Sequence, residues 1–127
     1  MATAKCILVI DDEDDIREIA QISLEMVANW QVVTASSGNE GLAKARTEQL
    51  DAILLDVMMP DMDGPSTFQE LQADVTTQHI PVLLLTAKVQ AIDRRRFADL
   101  GVKGVISKPF DPLKLANEVA EILGWHS

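Results

Sequence analysis

Five reactive polar residues stand where apolar runs of this sequence end. Asp11 and Asp12 follow the first run, and Asp56 follows the third. Thr86 and Lys108 stand at the ends of the fourth and fifth runs. Clustered carboxylates raise one another's pKa values unless a cation neutralises them, and hard oxygen ligands with room for water suit Mg²⁺. If these residues share one pocket, they can hold Mg²⁺ and receive a phosphoryl group, with Asp56 as the attacking carboxylate.

The elements that must position these residues alternate regularly along the chain. Apolar runs predict strands at residues 5–10, 31–35, 51–55, 80–85 and 104–106, and a segment of helical periodicity follows each run. Five rounds of strand and helix predict an α/β fold, a doubly wound, five-stranded parallel sheet with five helices. In the flavodoxin-like strand order 2-1-3-4-5, ligands bind at the carboxyl ends of the strands. The five polar residues would therefore meet at one edge of the sheet.

Capping residues and apolar spacing predict where the helices begin and which residues they bury. The expected caps are Asp14 or Asp15, Ser37 with Glu40, Asp63, and Asp111 followed by Pro112. The residues expected to face inward on the first helix are Ile16, Ile19, Ala20, Ser23, Met26 and Val27. They are Leu42 and Ala45 on the second helix, Phe68, Leu71 and Val75 on the third, and Leu115, Val119, Ile122 and Leu123 on the fifth. The fourth helix is expected to run from about Val89 to Leu100 and to end at Gly101, and the last is expected to end at Gly124.

Length and composition limit the classes to which the chain can belong. Its 127 residues, 47% of them hydrophobic and 24% charged, suit a single domain over 1–127. No apolar run is long enough for a membrane helix, and the N-terminus lacks a signal-peptide pattern. We therefore expect a cytoplasmic protein without membrane insertion. The one cysteine, Cys6, excludes an intramolecular disulfide and is expected to pack as a small hydrophobic residue.

The chain is strongly acidic, with a net charge of −9. This charge disfavours direct nucleic-acid binding, because phosphate backbones favour basic surfaces, and it favours a divalent cation or a basic partner. Arg94, Arg95 and Arg96 form a basic cluster, which is either a solvated helix face or a docking surface for an acidic partner. His79 and His126 lack metal-ligand spacing and are expected at the surface.

Four motifs together resemble the receiver domain of two-component response regulators, the CheY-like family. They are Asp11-Asp12, the loop Asp56-Val-Met-Met-Pro-Asp-Met-Asp-Gly64, the strand end Leu83-Leu-Leu-Thr-Ala87, and Lys108-Pro109-Phe110. Each motif alone is weak evidence, whereas all four in this order and at these spacings are specific. The resemblance covers essentially the whole chain.

The resemblance implies a phosphoacceptor signalling module with Mg²⁺ as its cofactor. Asp56 would accept a phosphoryl group from the phosphohistidine of a sensor histidine kinase, or from a phosphotransfer protein, and become an aspartyl phosphate. Asp12 and Asp56 would bind Mg²⁺ directly, and Asp11 would act through water. The main-chain carbonyl of Met58 would supply a further ligand.

The resemblance also implies how the module would act on a partner. Thr86 and Lys108 would contact the phosphoryl group, and the Lys108–Pro109 peptide bond would be cis. A downstream effector protein would recognise a change on the surface formed by the fourth helix, the fifth strand and the fifth helix. Self-catalysed phosphoryl transfer and autodephosphorylation would be the only reactions, so the protein would not be an enzyme in the usual sense.

One residue departs from the family's pattern. The family usually carries an aromatic residue three positions before the signature lysine, and its rotamer reports phosphorylation. Here that position is Val105, and the chain has no tyrosine. An aliphatic side chain cannot swing into the space behind Thr86 in the same way. We therefore hypothesise that output relies on movement of the loop and helix in residues 86–100.

Three other classes of function, and a calcium-binding loop, fit the residues less well. A receiver-like scaffold acting without phosphorylation usually lacks the acidic pair, the acceptor aspartate or the lysine, and all are present here. An aspartate-nucleophile phosphatase needs a second acid two residues beyond the nucleophile, where this chain has Met58. A flavin or nucleotide carrier needs a phosphate-binding loop after the first strand, where five consecutive acids stand instead. A calcium loop over Asp61–Glu70 is rejected, because its first ligand position would be Met59.

The sequence leaves the cognate kinase, the output partner, the phosphate lifetime and the oligomeric state open. Met58 and Lys88 flank the expected site and could shield a phosphate from water. No effector domain follows the last helix, so a stand-alone receiver is expected, although a domain excised from a longer protein would look the same.

Overall fold

The structure, a computed structural model, describes residues 5–87 and 91–125, with the side chains of residues 91–94 excluded. Within these residues, five strands alternate with five helices. The strands are β1 (Cys6–Ile10), β2 (Gln31–Ala35), β3 (Ala52–Asp56), β4 (Val82–Thr86) and β5 (Gly104–Ser107). The helices are α1 (Asp14–Ala28), α2 (Gly38–Thr47), α3 (Gly64–Ala73), α4 (Ala91–Leu100) and α5 (Leu115–Leu123). None of these helices is both long and apolar enough to cross a membrane.

The strands form one parallel sheet in the order β2-β1-β3-β4-β5, which confirms the predicted α/β architecture. The chain leaves β1 toward β2 on one side and returns to β3 on the other, so the strand order switches between β1 and β3. The register pairs Ile10 with Leu55 and Asp56 with Leu85. Because the strands are parallel and in register, their carboxyl ends lie along one edge of the sheet.

Two apolar layers cover the two faces of the sheet. Successive strand residues point to opposite faces, so Ile10 and Leu55 lie in one layer while Val9 and Leu54 lie in the other. Residues of α2, α3 and α4 complete the first layer, and residues of α1 and α5 complete the second. Burial on both faces explains why β1, β3 and β4 are unbroken apolar runs, and it makes their ends a rigid support for a site.

Two of the predicted helix caps are confirmed. Ser37 occupies the cap position of α2, and its hydroxyl oxygen accepts a hydrogen bond from the backbone N–H of Glu40 at 3.1 Å. The Glu40 carboxylate in turn accepts from the backbone N–H of Ser36 at 2.5 Å, one residue earlier than in the usual capping box. Asp63 caps α3 by accepting from the backbone N–H of Ser66 at 2.8 Å.

The predicted cap of α1 is wrong. Glu13 occupies the cap position, and its side chain makes no capping hydrogen bond. Asp14 and Asp15 lie inside the first turn, where their charges still complement the positive end of the helix.

The last helix also begins later than predicted. The Asp111 carboxylate accepts a hydrogen bond from the backbone N–H of Leu113 at 2.9 Å and so closes a turn over residues 112–114. Regular helix begins only at Leu115, so Pro112 lies in this turn and not at the first helical position. The predicted end is confirmed, because Gly124 has a left-handed backbone with φ 72°.

Some residues expected to face inward are exposed. On α1 the buried residues are Ala20, Ser23 and Leu24, whereas the exposed ones include Ile19, Met26 and Val27. Ile19 and Met26 lie about 100–120° around the helix from Ala20, so the buried face is narrower than predicted. On α3, Phe68 and Leu71 are buried as predicted, but Val75 is 77% exposed because the helix ends at Ala73.

Candidate functional site

The ends of β1 and β3 place two aspartates side by side. Ile10 pairs with Leu55, so Asp11 and Asp56 follow at neighbouring positions of adjacent strands. Asp11 is 0% exposed and Asp56 is 3% exposed. The loop after Asp56 is tied to β4, because the backbone N–H of Val57 donates to the carbonyl of Leu85 at 3.0 Å. The sheet register therefore brings two buried carboxylates next to each other.

The Lys108 ammonium joins both carboxylates. Its Nζ lies 2.8 Å from Asp11 Oδ2 and donates a hydrogen bond to Asp56 Oδ1 at 3.0 Å. The lysine side chain is 9% exposed, so it is not a solvated surface lysine. The backbone of Lys108 is fixed next to β4, because its N–H donates to the carbonyl of Thr86 at 2.9 Å. The Lys108–Pro109 peptide bond is cis, as the resemblance implied.

Asp12 completes an acidic cluster with these residues. One carboxylate oxygen each from Asp11, Asp12 and Asp56 lies within 4.8 Å of the others. Asp12 is exposed, whereas the other two are buried. Asp56 Oδ2 is buried and accepts no hydrogen bond from the residues that the structure describes. The donor set and this unsatisfied oxygen fit a hard divalent cation such as Mg²⁺.

The charges of the site act on one another. Burial raises the pKa of Asp56 to about 6; Lys108 opposes this rise, and Asp11 adds to it. Burial works against the charge of Lys108, but its contacts with Asp11 and Asp56 outweigh burial and raise its pKa. A buried carboxylate with a raised pKa and an adjacent ammonium is typical of a functional site.

Thr86 and Gly64 also lie close to the candidate site. Thr86 is the last residue of β4 and is 7% exposed, so the structure places it at the same sheet edge as Asp56. A Cβ atom at Gly64 would lie 2.7 Å from the carbonyl oxygen of Asp56 and 2.8 Å from the Cα of Val57. The chain after the loop can therefore pass close behind Asp56 only with glycine at position 64.

Glu13 also lies at the candidate site, a position for which the sequence predicted no role. Its carboxylate oxygen lies 3.4 Å from Lys108 Nζ, and 61% of its side chain is exposed. Its backbone N–H donates to Asp11 Oδ1 at 2.9 Å, so Asp11 also has a local structural role besides its place in the site. The signal in the sequence was its place between the acidic pair Asp11-Asp12 and the expected capping residues Asp14 and Asp15.

Residues outside the site behave mostly as predicted. Cys6 is half-buried, and burial, with Asp51 and Glu48, raises the pKa of its thiol, as expected for an unreactive packing cysteine. Arg95, Arg96 and His79 are exposed. Trp30 and Trp125 are partly buried and meet edge to face at 5.3 Å. Lys88, Val89 and His126, together with the side chain of Arg94, lie outside the described residues.

Comparison with known proteins agrees with this geometry. The sequence profile of the response regulator receiver domain matches residues 7–120. The chain is 40% identical over 119 residues to the alkaline phosphatase synthesis transcriptional regulatory protein PhoP of Bacillus subtilis. It is also 40% identical over 117 residues to the DNA-binding dual master transcriptional regulator RpaA of Synechocystis sp.. These alignments cover 94% and 92% of the chain but 48% of each relative, so it spans about half the length of these relatives.

A solved structure agrees with the profile. The chemotaxis response regulator CheY4 of Vibrio cholerae aligns with a TM-score of 0.88 and 30% identity, over 94% of this chain and 99% of that one. The chain belongs to the response regulator receiver domain family, whose members act in two-component systems. A receiver domain is not an enzyme in the usual sense, and this chain shares that classification.

Proposed function

We propose that this receiver domain accepts a phosphoryl group on Asp56 in a Mg²⁺-dependent reaction. The observation that carries the proposal is the state of the Asp56 carboxylate. One of its oxygens binds the Lys108 ammonium at 3.0 Å, and the other is buried without a hydrogen-bond partner among the described residues. An orphaned carboxylate oxygen is costly unless an incoming group satisfies it.

The residues that would hold Mg²⁺ are Asp12 and Asp56 directly, Asp11 through water, and the main-chain carbonyl of Met58. The indirect role of Asp11 fits its contacts, since Oδ1 accepts from the backbone N–H of Glu13 and Oδ2 lies 2.8 Å from Lys108 Nζ. Mg²⁺ would screen the repulsion between Asp56 and an incoming phosphoryl group.

The chemistry on the protein side is a nucleophilic attack by one Asp56 carboxylate oxygen on phosphorus. The new O–P bond forms as the P–N bond of the donor phosphohistidine breaks, and the electron pair stays on the imidazole nitrogen. Lys108 neutralises charge on the transferred group, and Thr86 donates a hydrogen bond to it. In dephosphorylation, water attacks phosphorus, the O–P bond to Asp56 breaks, and inorganic phosphate leaves while the Asp56 carboxylate is restored.

The output would use the surface formed by α4, β5 and α5. Val105 is half-buried against the apolar layer that contains Phe97 of α4. An aliphatic residue there supports the hypothesis that residues 86–100 move as backbone and not through an aromatic rotamer. Comparison of backbone NMR shifts with and without a phosphoryl mimic tests this hypothesis, and unchanged shifts in that segment would contradict it.

The partners would be a sensor histidine kinase or phosphotransfer protein and a downstream effector, in the cytoplasm. The curated relatives named above are transcriptional regulators, and the chain matches about half of each. A net charge of −9 supports a role in which this domain itself does not bind nucleic acid.

The deciding experiment is the intact mass of the protein after incubation with acetyl phosphate and Mg²⁺. We expect a gain of one phosphoryl group that requires Mg²⁺ and is absent from Asp56→Asn. A wild-type protein that binds Mg²⁺ but gains no mass would instead identify a scaffold that keeps the pocket without its chemistry.

A further inference from the structure

Asp61 joins the loop after Asp56 to a different helix. Its Oδ1 accepts a hydrogen bond from the backbone N–H of Gly38 at 3.4 Å. Its Oδ2 accepts from the backbone N–H of Asn39 at 3.3 Å and from Asn39 Nδ2 at 3.4 Å. The β3–α3 loop, residues 57–63, is thereby linked to the first turn of α2.

The electrostatics of this link are favourable. The first N–H groups of a helix lack partners within it, and they carry the positive end of its dipole. Slight burial works against the charge of Asp61, but hydrogen bonds from the backbone N–H groups of Asn39 and Gly38 outweigh it and hold the pKa below its usual value. The carboxylate is therefore ionised and attracted to α2 at any physiological pH.

Close packing keeps the loop and α2 together at this point. A Cβ atom at Gly38 would lie 2.6 Å from Thr67 Oγ1 and 3.1 Å from the Cβ of Met62. Met59 is 8% exposed and lies in the core, whereas Met58 is 79% exposed. The loop is thus pinned by Met59, Asp61 and Met62, while Met58 itself has little packing to fix it.

We propose that Asp61 is a positioning residue, which holds the β3–α3 loop against α2 so that the Met58 carbonyl and the Asp56 carboxylate stay ready for Mg²⁺. This inference rests on the proposed function. Among the described residues, the hydrogen bonds of the Asp61 carboxylate to other elements go to Gly38 and Asn39 and not to a proposed metal ligand, so it would act through the loop. Its loss would weaken Mg²⁺ binding more than it slows the reaction at saturating Mg²⁺.

The test is an NMR titration with Mg²⁺ of the backbone amides of residues 52–64 in the wild type, Asp61→Ala and Asp61→Asn. We expect the dissociation constant to rise about tenfold in Asp61→Ala and less in Asp61→Asn, which keeps one acceptor. The rate of phosphorylation by acetyl phosphate at saturating Mg²⁺ should change by less than about twofold.

Ser37→Ala is the matched control, because the Ser37 hydroxyl caps the same helix through the backbone N–H of Glu40 and makes no hydrogen bond to the loop among the described residues. We expect it to lower the urea midpoint like Asp61→Ala but to leave the Mg²⁺ titration unchanged. The inference fails if Asp61→Ala binds Mg²⁺ like the wild type, or if Ser37→Ala weakens binding equally. A wild type that binds no Mg²⁺ overturns the proposed function and this inference with it.

Discussion

The ammonium nitrogen of Lys108 lies 3.0 Å from Asp56 Oδ1, although 52 residues separate them in sequence. The same nitrogen lies 2.8 Å from Asp11 Oδ2. One buried cation thus faces two buried carboxylates. The net negative charge that remains makes the site receptive to a divalent cation, and it costs folding free energy when none is bound.

Neutralising Asp56 should therefore stabilise the metal-free protein. The folded-state pKa of about 6 lies above the ordinary 3.8, so the folded protein keeps its proton as the pH rises from about 4 to about 6, and stability falls through that window. At pH 7.5 in EDTA, Asp56→Asn should raise the free energy of unfolding by on the order of 1–3 kcal/mol, as measured by urea denaturation.

Two comparisons make this prediction specific to Asp56. Asp99→Asn removes an exposed carboxylate of α4 and should leave the urea midpoint nearly unchanged. The rise in the free energy of unfolding caused by Asp56→Asn should be smaller at pH 4.5, where the wild-type carboxyl is already protonated. An equal gain at both pH values would show that charge is not its cause.

Removing Lys108 should have the opposite effect. Lys108→Met leaves Asp11 and Asp56 facing each other without a cation. We expect the free energy of unfolding to fall by about 3 kcal/mol at pH 7.5 without Mg²⁺. In the Asp56→Asn background the same substitution should cost less, because only one buried charge remains. A double-mutant cycle by urea denaturation measures the difference. Additive effects of the two substitutions would mean that the contact at 3.0 Å carries no coupling.

Glu13 should slow phosphorylation by competing for Lys108. Its carboxylate lies 3.4 Å from the ammonium at the exposed side of the site. We expect Glu13→Gln to raise the rate of phosphorylation by acetyl phosphate about two- to fivefold at low ionic strength, and less at high salt. Asp15→Asn, an exposed acid of the first turn of α1, serves as the control for general charge effects. Equal acceleration by both variants would assign the effect to net charge.

Gly64 should tolerate no side chain. Gly64→Ala would place a Cβ atom 2.7 Å from the carbonyl oxygen of Asp56, so the backbone of Asp56 must shift. We expect the free energy of unfolding, measured by urea denaturation, to fall by about 1–3 kcal/mol and phosphorylation to become slower.

Gly124→Ala separates strain from position in that experiment. It also strains the backbone, since φ is 72°, but a Cβ atom there would meet nothing within 4 Å and so would not press on any residue of the candidate site. We expect it to lower stability by about 1 kcal/mol and to leave phosphorylation unchanged. If Gly64→Ala phosphorylates at the wild-type rate, the close approach behind Asp56 has no catalytic importance.

The sequence by itself determined the sheet and the edge of the sheet at which the candidate site lies. A short, unbroken apolar run is typical of a strand that is buried on both faces. The ends of β1, β3 and β4 were therefore predicted to within one or two residues. Alternation of strands and helices then put the ends of these strands at one edge. Asp11, Asp56, Thr86 and Lys108 were assigned to the site for that reason, and the structure brings them to that edge.

The tertiary structure decided what depends on the relative placement of distant segments. The capping preference of aspartate favoured Asp14 or Asp15 equally, and only the path of the chain after β1 put Glu13 at the cap and beside Lys108. Helical periodicity could not show that Met26, which was expected to face inward, is 79% exposed.

The link from Asp61 to α2 joins residues 22 and 23 positions apart, and no local pattern encodes it. A strand that is buried on both faces needs apolar residues at consecutive positions. A short stretch of sequence is therefore enough to identify it. Contacts between loops are fixed only when the whole sheet and its helices have packed, which is why they could not be read from the sequence.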